Sequence, residues 1–405
     1  MNLAKLMAGA AMLTIFASAA LCGPDESAKD QVKGNNETAT DLYAKLKDKE
    51  GNIFFSPYSI STALAMTYEG ARNNTEKQMA ETLHFKGGLE QTAKSFTSVQ
   101  AALNAVEKKG NAKLSIANAI WAQKEYKFLD SYIGLVQKSF SSEIRNVDFK
   151  NEGAREDARQ EINGWVEKKT NDKIKDLISR STLSADTKMV LVNAIYFKGS
   201  WAVEFDKSLT NNDGKFTTAD GKEVKVPMMY RKDDFRNLDD GKILALEMPY
   251  KDNELSMLAI MPKDPAGFAD MEKALNADRI EKIVSDMRKD EIEVYFPKFR
   301  LEQKFELCKT LAEMGMPDAF DGKADFSGMN GKTTLAITGV IHKAFVEVDE
   351  KGTEAAAATA VVMQDLCIRE TKAFKADRPF IFIIRENSTG SILFMGRVAD
   401  PTQNK

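Results

Sequence analysis

Between two stretches that read as core β-strand, HKAFVEVDE (342–350) and PFIFIIREN (379–387), the chain carries EKGTEAAAATAVVMQDLCIRE (350–370). A charged turn containing Gly352 gives way to a nearly pure run of alanine, then to valines and a lone cysteine. Alanine has the best intrinsic helix propensity, yet a run of about eight residues is too short to hold helix in water by itself. The segment is constrained to be small rather than to be helical.

The rest of the chain is ordinary by comparison. It has 405 residues, 43% hydrophobic and 29% charged, with a net charge of −3. Length alone suggests two or three domains, but no internal repeat and no Pro-, Gly- or Ser-rich linker divides it, which argues for one large domain. A near-neutral balance is unlike a general nucleic-acid binder, which carries a basic stripe or patch. The cluster Lys168, Lys169, Lys173 and Lys175 is interleaved with Glu167, Asp172 and Asp176 and reads as a solvated helix face.

At the N-terminus Lys5 precedes LMAGAAMLTIFASAAL (6–21), with ASA at Ala17–Ala19. That apolar core is shorter than the roughly 20 residues a membrane span needs and fits a signal peptide over residues 1–22. Two export routes stay open. One is cleavage to a soluble secreted or periplasmic form. The other is lipid anchoring through Cys22, although Leu21 is larger than the residue usual before a lipidated cysteine. The polar stretch GPDESAKDQVKGNN (23–36) reads as a flexible tether, with the folded domain over 37–405. Cys308 and Cys367 do not make a disulfide framework and read as free thiols.

The first half reads mostly helical. Ala39, Leu42, Tyr43 and Leu46 recur at helical spacing, and Ile162, Trp165 and Val166 share one face. Pro57 and Gly70 bracket an apolar helix as start and stop signals. Strands appear at KLSIANAIWA (113–122) and KMVLVNAIYFKGSW (188–201), and β runs bounded by turns dominate the second half. Helices followed mainly by strands indicate an α+β fold around large, largely antiparallel sheets.

An enzyme would show a nucleophile with its base, a metal constellation or a phosphate cradle. The only histidines are His84 and His342, and His84 has no carboxylate or metal ligand at useful sequence spacing. No GxSxG, HExxH or CxxC occurs. GMNGKTTL (328–335) looks like a phosphate loop until the position five before Gly331 proves to be Phe326.

Five motifs in order then carry a resemblance: NIFFSPYSISTALAMTYEGA (52–71), NAIYFKGSWAVEFD (193–206), VPMMY (226–230), FVEVDEKGTEAAAATAVV (345–362) and ADRPFIFIIRENSTGSILFMGRVADP (376–401). Over about residues 37–401 the chain resembles the serpins, suicide inhibitors of serine and cysteine proteases. The resemblance implies the serpin fold: three β-sheets, eight or nine helices and an exposed reactive loop. It implies an inhibitor rather than an enzyme, a monomer, and no cofactor or metal. In such proteins a protease cuts the loop, and the freed segment inserts into the main sheet before the acyl-enzyme can be hydrolysed. The signal-like N-terminus and the lack of a disulfide framework fit a prokaryotic, exported member.

Carried over by motif, the hinge is Glu350, Gly352, Thr353, Glu354, Ala355, Ala356, Ala357 and Ala358. Strand side chains alternate between faces, so Thr353, Ala355, Ala357, Thr359 and Val361 share one face on insertion, and all are small or β-branched. Glu354, Ala356, Ala358, Ala360 and Val362 share the other, and the charged Glu354 can remain at the surface. A bulky or charged group on the face that enters the interior would cost several kcal/mol, roughly, in overpacking or desolvation. The family's spacing from Glu350 puts the scissile bond at Leu366–Cys367, with Met363 and Arg369 as alternative bait positions. Leu366 suits the apolar pocket of a chymotrypsin-, subtilisin- or elastase-like protease, and papain-like enzymes also come into question. Ser56, Ser59, Asn193 and His342 match the family's shutter, where the central strands part, and Trp201 matches the breach, where the loop first enters. The alternative function is a non-inhibitory binding or scaffold protein on the same fold.

Overall fold

The computed structural model describes residues 26–110, 112–353 and 372–403. Up to residue 200 the chain runs α1 (Glu26–Leu46), β1 (Ile53–Phe55), α2 (Pro57–Tyr68), α3 (Asn73–Thr82), α4 (Gly88–Lys108), β2 (Ala112–Gln123), α5 (Asp130–Phe140), β3 (Glu143–Val147), α6 (Glu152–Lys169) and β4 (Met189–Ser200). Strands then dominate: β5 (Asn211–Thr217), β6 (Glu223–Asp239), β7 (Ile243–Pro249) and β8 (Leu255–Pro262) precede α7 (Phe268–Lys273) and α8 (Ala277–Asp286). After β9 (Arg288–Pro297) and β10 (Phe299–Glu306) come α9 (Cys308–Met314), α10 (Ser327–Asn330), β11 (Gly339–Asp349) and β12 (Gly352–Thr353). The chain closes with β13 (Lys372–Lys375), β14 (Phe380–Glu386) and β15 (Ile392–Val398).

The main sheet has the order β10-β11-β12-β4-β2-β3. Both of its faces are covered. Met189, Leu191, Ile195 and Phe197 of β4 belong to the large core that includes α2. Val190, Val192, Ala194 and Tyr196, with Ile341 and Phe345 of β11, belong to a second core with Ile162, Trp165 and Val166 of α6. Trp121 meets Trp165 edge-on at 6.0 Å. Burial on both faces explains why 113–122 and 188–201 read as near-continuous apolar runs rather than alternating ones.

Among the described residues, hydrogen bonding joins the remaining strands into a single second sheet, β1-β15-β14-β8-β7-β6-β9-β13, with β5 on β6. The 17-residue β6 is long enough to serve two lobes, pairing with β7 near its end and with β9 along most of its length, so ladder continuity merges two of the three implied sheets. Against the eight or nine implied helices, the described residues hold ten α-helices, three of them seven residues or shorter.

One expectation is corrected. Residues 26–36 are not a flexible tether: α1 begins at Glu26, and Gln31, Val32 and Asn35 are buried. The polarity that suggested solvation is used for pairing. Asn35 Nδ2 donates to the Ile392 carbonyl at 3.0 Å, Ile392 N donates to Asn36 Oδ1 at 2.9 Å, and Asn36 Nδ2 donates to the Gly390 carbonyl at 2.9 Å. Gly34 lets the helix approach the His84 carbonyl so closely that an added Cβ would lie 2.4 Å from its oxygen. No helix among the described residues is long and apolar enough to cross a membrane. Residues 1–22, with Cys22, lie outside the described residues.

Candidate functional site

The site is the seam between β4 and β11. Over Gly339–Phe345 the two strands are directly paired in parallel, Gly339 to Val190 through Phe345 to Tyr196. Beyond that they are parted by β12, which is antiparallel to both: Thr353 lies opposite Val348 and Gly199, and Gly352 opposite Asp349 and Ser200. Gly352 and Thr353 therefore already occupy the top of the seam as a two-residue wedge.

Gly352 has φ +149°, a conformation side chains rarely adopt, and an added Cβ would stand 2.1 Å from the Gly199 carbonyl oxygen. Thr353 is fully buried, and its hydroxyl shares a 2.8 Å hydrogen bond with the Tyr250 hydroxyl. Trp201 stacks on Tyr250 at 4.6 Å and 13°. The Trp201 indole N–H donates to the Asp349 carbonyl at 3.0 Å, and its backbone N–H donates to the Lys351 carbonyl at 2.9 Å. The turn is thus moulded onto the end of β4 by the tryptophan.

Glu350 is buried and takes Lys298 Nζ at 2.7 Å and the Thr210 hydroxyl at 2.9 Å. Burial raises its carboxyl, but the hydrogen bonds from Lys298, the backbone and Thr210 outweigh that and hold it below the ordinary glutamate value. The charge of Glu350 is thereby satisfied on the protein side.

In the middle of the seam one rung crosses four strands: Phe305 pairs with His342, His342 with Asn193, and Asn193 with Asn118. Ser56 N–H donates to His342 Nε2 at 3.0 Å. That leaves the ring proton on Nδ1, where it bonds Asn193 Oδ1. The Asn193 amide then donates to the Ser59 carbonyl at 2.8 Å, to the Ser59 hydroxyl and to Asn118 Oδ1. Ser56 caps α2 by accepting from Ser59 N–H, and its own hydroxyl donates to the Leu393 carbonyl at 2.6 Å. Ser56, Ser59, Asn193 and His342 are all fully buried. Burial pushes the His342 imidazole down to about 3, so it is neutral at neutral pH and acts as a fixed donor and acceptor.

The structure thus brings together Ser56, Ser59, Asn193 and His342, the four residues matched to the shutter by motif, and places Trp201 beside Glu350, Gly352 and Thr353. Glu354, Ala355, Ala356, Ala357, Ala358, Leu366 and Cys367, with the alternatives Met363 and Arg369, lie outside the described residues. Sequence reasoning missed Asn118, Tyr250, Thr210 and Lys298. Asn118 left a signal, because NAI occurs in both buried strands, at 118–120 and 193–195. Tyr250, Thr210 and Lys298 left none, since each reaches the hinge from a remote part of the chain.

His84 departs from expectation. Residues on α1 bring Asp41 Oδ2 to 2.8 Å from Nε2 and Glu37 Oε2 to 3.4 Å from Nδ1. With both ring nitrogens facing carboxylates, neither is left to take a proton from a nucleophile. No group of three or more His, Cys, Asp or Glu among the described residues is placed to hold a metal ion. Cys308 is half-buried, and burial pushes its thiol up to about 11, away from reactivity.

Comparison with known proteins agrees with this geometry. The family described as "Serpin (serine protease inhibitor)" matches residues 33–401. A leukocyte elastase inhibitor of Xenopus laevis is 42% identical over 370 residues, covering 89% of this chain and 97% of the relative. An uncharacterized serpin-like protein of Thermococcus kodakarensis is 42% identical over 376 residues, covering 92% and 86%. Human thyroxine-binding globulin, solved in complex with thyroxine, superposes with a TM-score of 0.83 at 33% identity, covering 93% of this chain and 100% of that one. A family match across nine-tenths of the chain, together with a wedge-and-rung seam in register, leads to one conclusion: the chain belongs to the serpin family.

Proposed function

We propose that the protein is an irreversible inhibitor of serine proteases that traps its target by inserting the cut loop into the β4–β11 seam. The observation that carries this reading is the register of β12. Thr353 lies opposite Gly199 and Val348, with its side chain in the core. Continuing the same antiparallel register, Ala355, Ala357, Thr359 and Val361 come opposite Phe197, Ile195, Asn193 and Leu191 on β4. On β11 they come opposite Val346, Ala344, His342 and Val340. The small inward series thus meets Phe197, Ile195 and Leu191 on one side and Val346, Ala344 and Val340 on the other, and its one further hydroxyl, on Thr359, arrives between Asn193 and His342. There it can take up the bonds that the parted pair gives up. Insertion replaces one parallel pairing by two antiparallel ones, and each added ladder bond contributes roughly 0.5–1.5 kcal/mol net.

The bait is Leu366, cut from Cys367, and the targets are chymotrypsin-, subtilisin- or elastase-like enzymes with a roomy apolar pocket, with papain-like enzymes as further candidates. The name of the Xenopus relative, an elastase inhibitor at 42% identity, supports this class. We further infer a monomer exported from a prokaryotic cell, from the signal-like residues 1–22 and the likeness to the Thermococcus protein. The protein is incubated with chymotrypsin, subtilisin, elastase and papain, then read by SDS gel and by the mass of the released C-terminal peptide. An SDS-stable complex and a peptide starting at Cys367 are expected. Cleavage by all four without a complex would sink the inhibitory reading in favour of a non-inhibitory binding protein. The likeness to thyroxine-binding globulin is the observation behind that second reading.

A further inference from the structure

At the end of the main sheet opposite the hinge, where β2 ends and β4 begins, the surface opens into a cleft of about 950 Å³. That is within the range of sites that enclose small organic ligands. Tyr126, Phe128 and Leu129 contribute apolar surface to its lining, and Leu129 is an exposed large apolar residue at 43%. Lys127, Lys150, Lys188 and Lys332 also line it, with Glu125 and Asp186. Lys150 is paired with Glu125 at 3.3 Å. Lys188 Nζ reaches only a carbonyl, that of Thr334, at 3.4 Å. Among the described residues Lys127, Lys188 and Lys332 face no carboxylate partner within ion-pair distance, against one unpaired carboxylate in the lining, Asp186. α5 also starts at this rim. Its N-cap is Leu129, which has no side-chain oxygen to receive the first-turn N–H groups, and Asp130 supplies the only charge in that turn.

We propose that this cleft binds an amphipathic monoanion, with an acyl or aryl body against Tyr126, Phe128 and Leu129 and a carboxylate or sulfonate head on Lys188 and Lys332. The apolar wall accounts for the body and the uncompensated ammonium groups for the head. The site also touches the seam. Lys188 N and Met189 N donate to the Thr338 hydroxyl at 3.1 and 3.3 Å, and Thr338 N donates to the Met189 carbonyl at 2.9 Å, closing the β4–β11 pairing at this end. A ligand that clamps Lys188 to the Thr334 segment holds that end shut. Its effect on inhibition, a slower trapping step, rests on the loop-insertion reading, whereas binding does not.

The test uses 8-anilinonaphthalene-1-sulfonate and its uncharged counterpart N-phenyl-1-naphthylamine in fluorescence titrations of the full chain. Saturable one-site binding of the sulfonate is expected, about tenfold or more tighter than the uncharged probe, a difference of about 1.4 kcal/mol. K188Q/K332Q should lose that advantage. K94Q/K309Q, on helices α4 and α9 away from the lining, should keep it. Equal affinity for the two probes, no saturable binding, or an unmoved K188Q/K332Q would each overturn the site. In a second arm, saturating sulfonate should slow formation of the chymotrypsin complex by wild type but not by K188Q/K332Q, and an unchanged rate would overturn the coupling. If no complex forms at all, the inhibitory reading fails while the titration still decides the cleft.

Discussion

The two halves of one seam are built on opposite principles. At the top, β4 and β11 are parted by Gly352 and Thr353, and what holds the wedge is aromatic: Trp201 on Tyr250, with Tyr250 bonded to Thr353. In the middle the strands are closed directly, and what holds them is polar: the His342–Asn193–Asn118 rung tied to Ser56 and Ser59. Aromatic packing is tolerant of which backbone lies beneath it, whereas a buried hydrogen-bond row demands that every donor and acceptor find a partner. The top is therefore suited to receiving a strand, and the middle to staying shut until another set of partners replaces the first.

The largest effect should come from breaking the wedge. Thr353→Arg puts a charge where Thr353 is fully buried against Tyr250, a desolvation cost of several kcal/mol, roughly. The variant should be cleaved as an ordinary substrate with no SDS-stable complex. Trapping at full stoichiometry would mean that the hinge is not where the strand enters. Next in size is Gly352→Ala, which meets the Gly199 carbonyl and an unfavourable φ, at a cost of about 1–3 kcal/mol. A lowered thermal midpoint is expected, and Ser200→Ala, on the facing strand, should not reproduce it. In the closed half, His342→Ala strands the Ser56 N–H and Asn193 Oδ1 and should cost about 1–3 kcal/mol. Asn118→Ala should act through the same rung, and their double-mutant cycle should be non-additive.

The smallest effect separates the two histidines by pH. His342 is buried neutral, with its value pushed far down, so its contribution is complete above the ordinary histidine value near 6.5 and is lost as pH falls below it toward about 3. His84 is shifted the other way. The hydrogen bond to Asp41 raises it, and burial and Lys86 only partly oppose that, so its contribution is complete below 6.5 and is lost as pH rises through its raised value. His84→Asn keeps a residue tolerant of the positive φ of 54° while removing the charge. Its stability profile should flatten on the alkaline side only, by about 0.3–1 kcal/mol. Flattening on the acid side instead would show that the two roles are exchanged.

Much of the fold is legible in the sequence because burial on both faces leaves long apolar runs, as at 113–122 and 188–201, and because Pro57 and Gly70 punctuate α2. The first turns of α1 are not legible. Asn35 and Asn36 are turn-like residues by propensity, and only the distant carbonyls and N–H of the 390–392 stretch turn them into helix. Ser56, Ser59, Asn193, His342 and Trp201 came from motif resemblance and not from any local pattern. Tyr250 and Lys298 could not have been read at all, since a hydrogen bond between residues 103 or 52 positions apart leaves no periodic trace.

The asparagine ties between α1 and the start of β15 also fix how the molecule bears a load. Asn35 and Asn36 hold the 390–392 stretch, and just past the end of α1 Arg397 grips the carbonyls of Lys47, Lys49 and Gly51. A pull on the chain ahead of Glu26 would be carried along the helix into β15, in the second sheet, and from there through Ser56, which bonds both the Leu393 carbonyl and His342, into the β4–β11 seam. Tension applied at that end would thus be felt at the closed middle of the seam through that serine, rather than at the wedge above it.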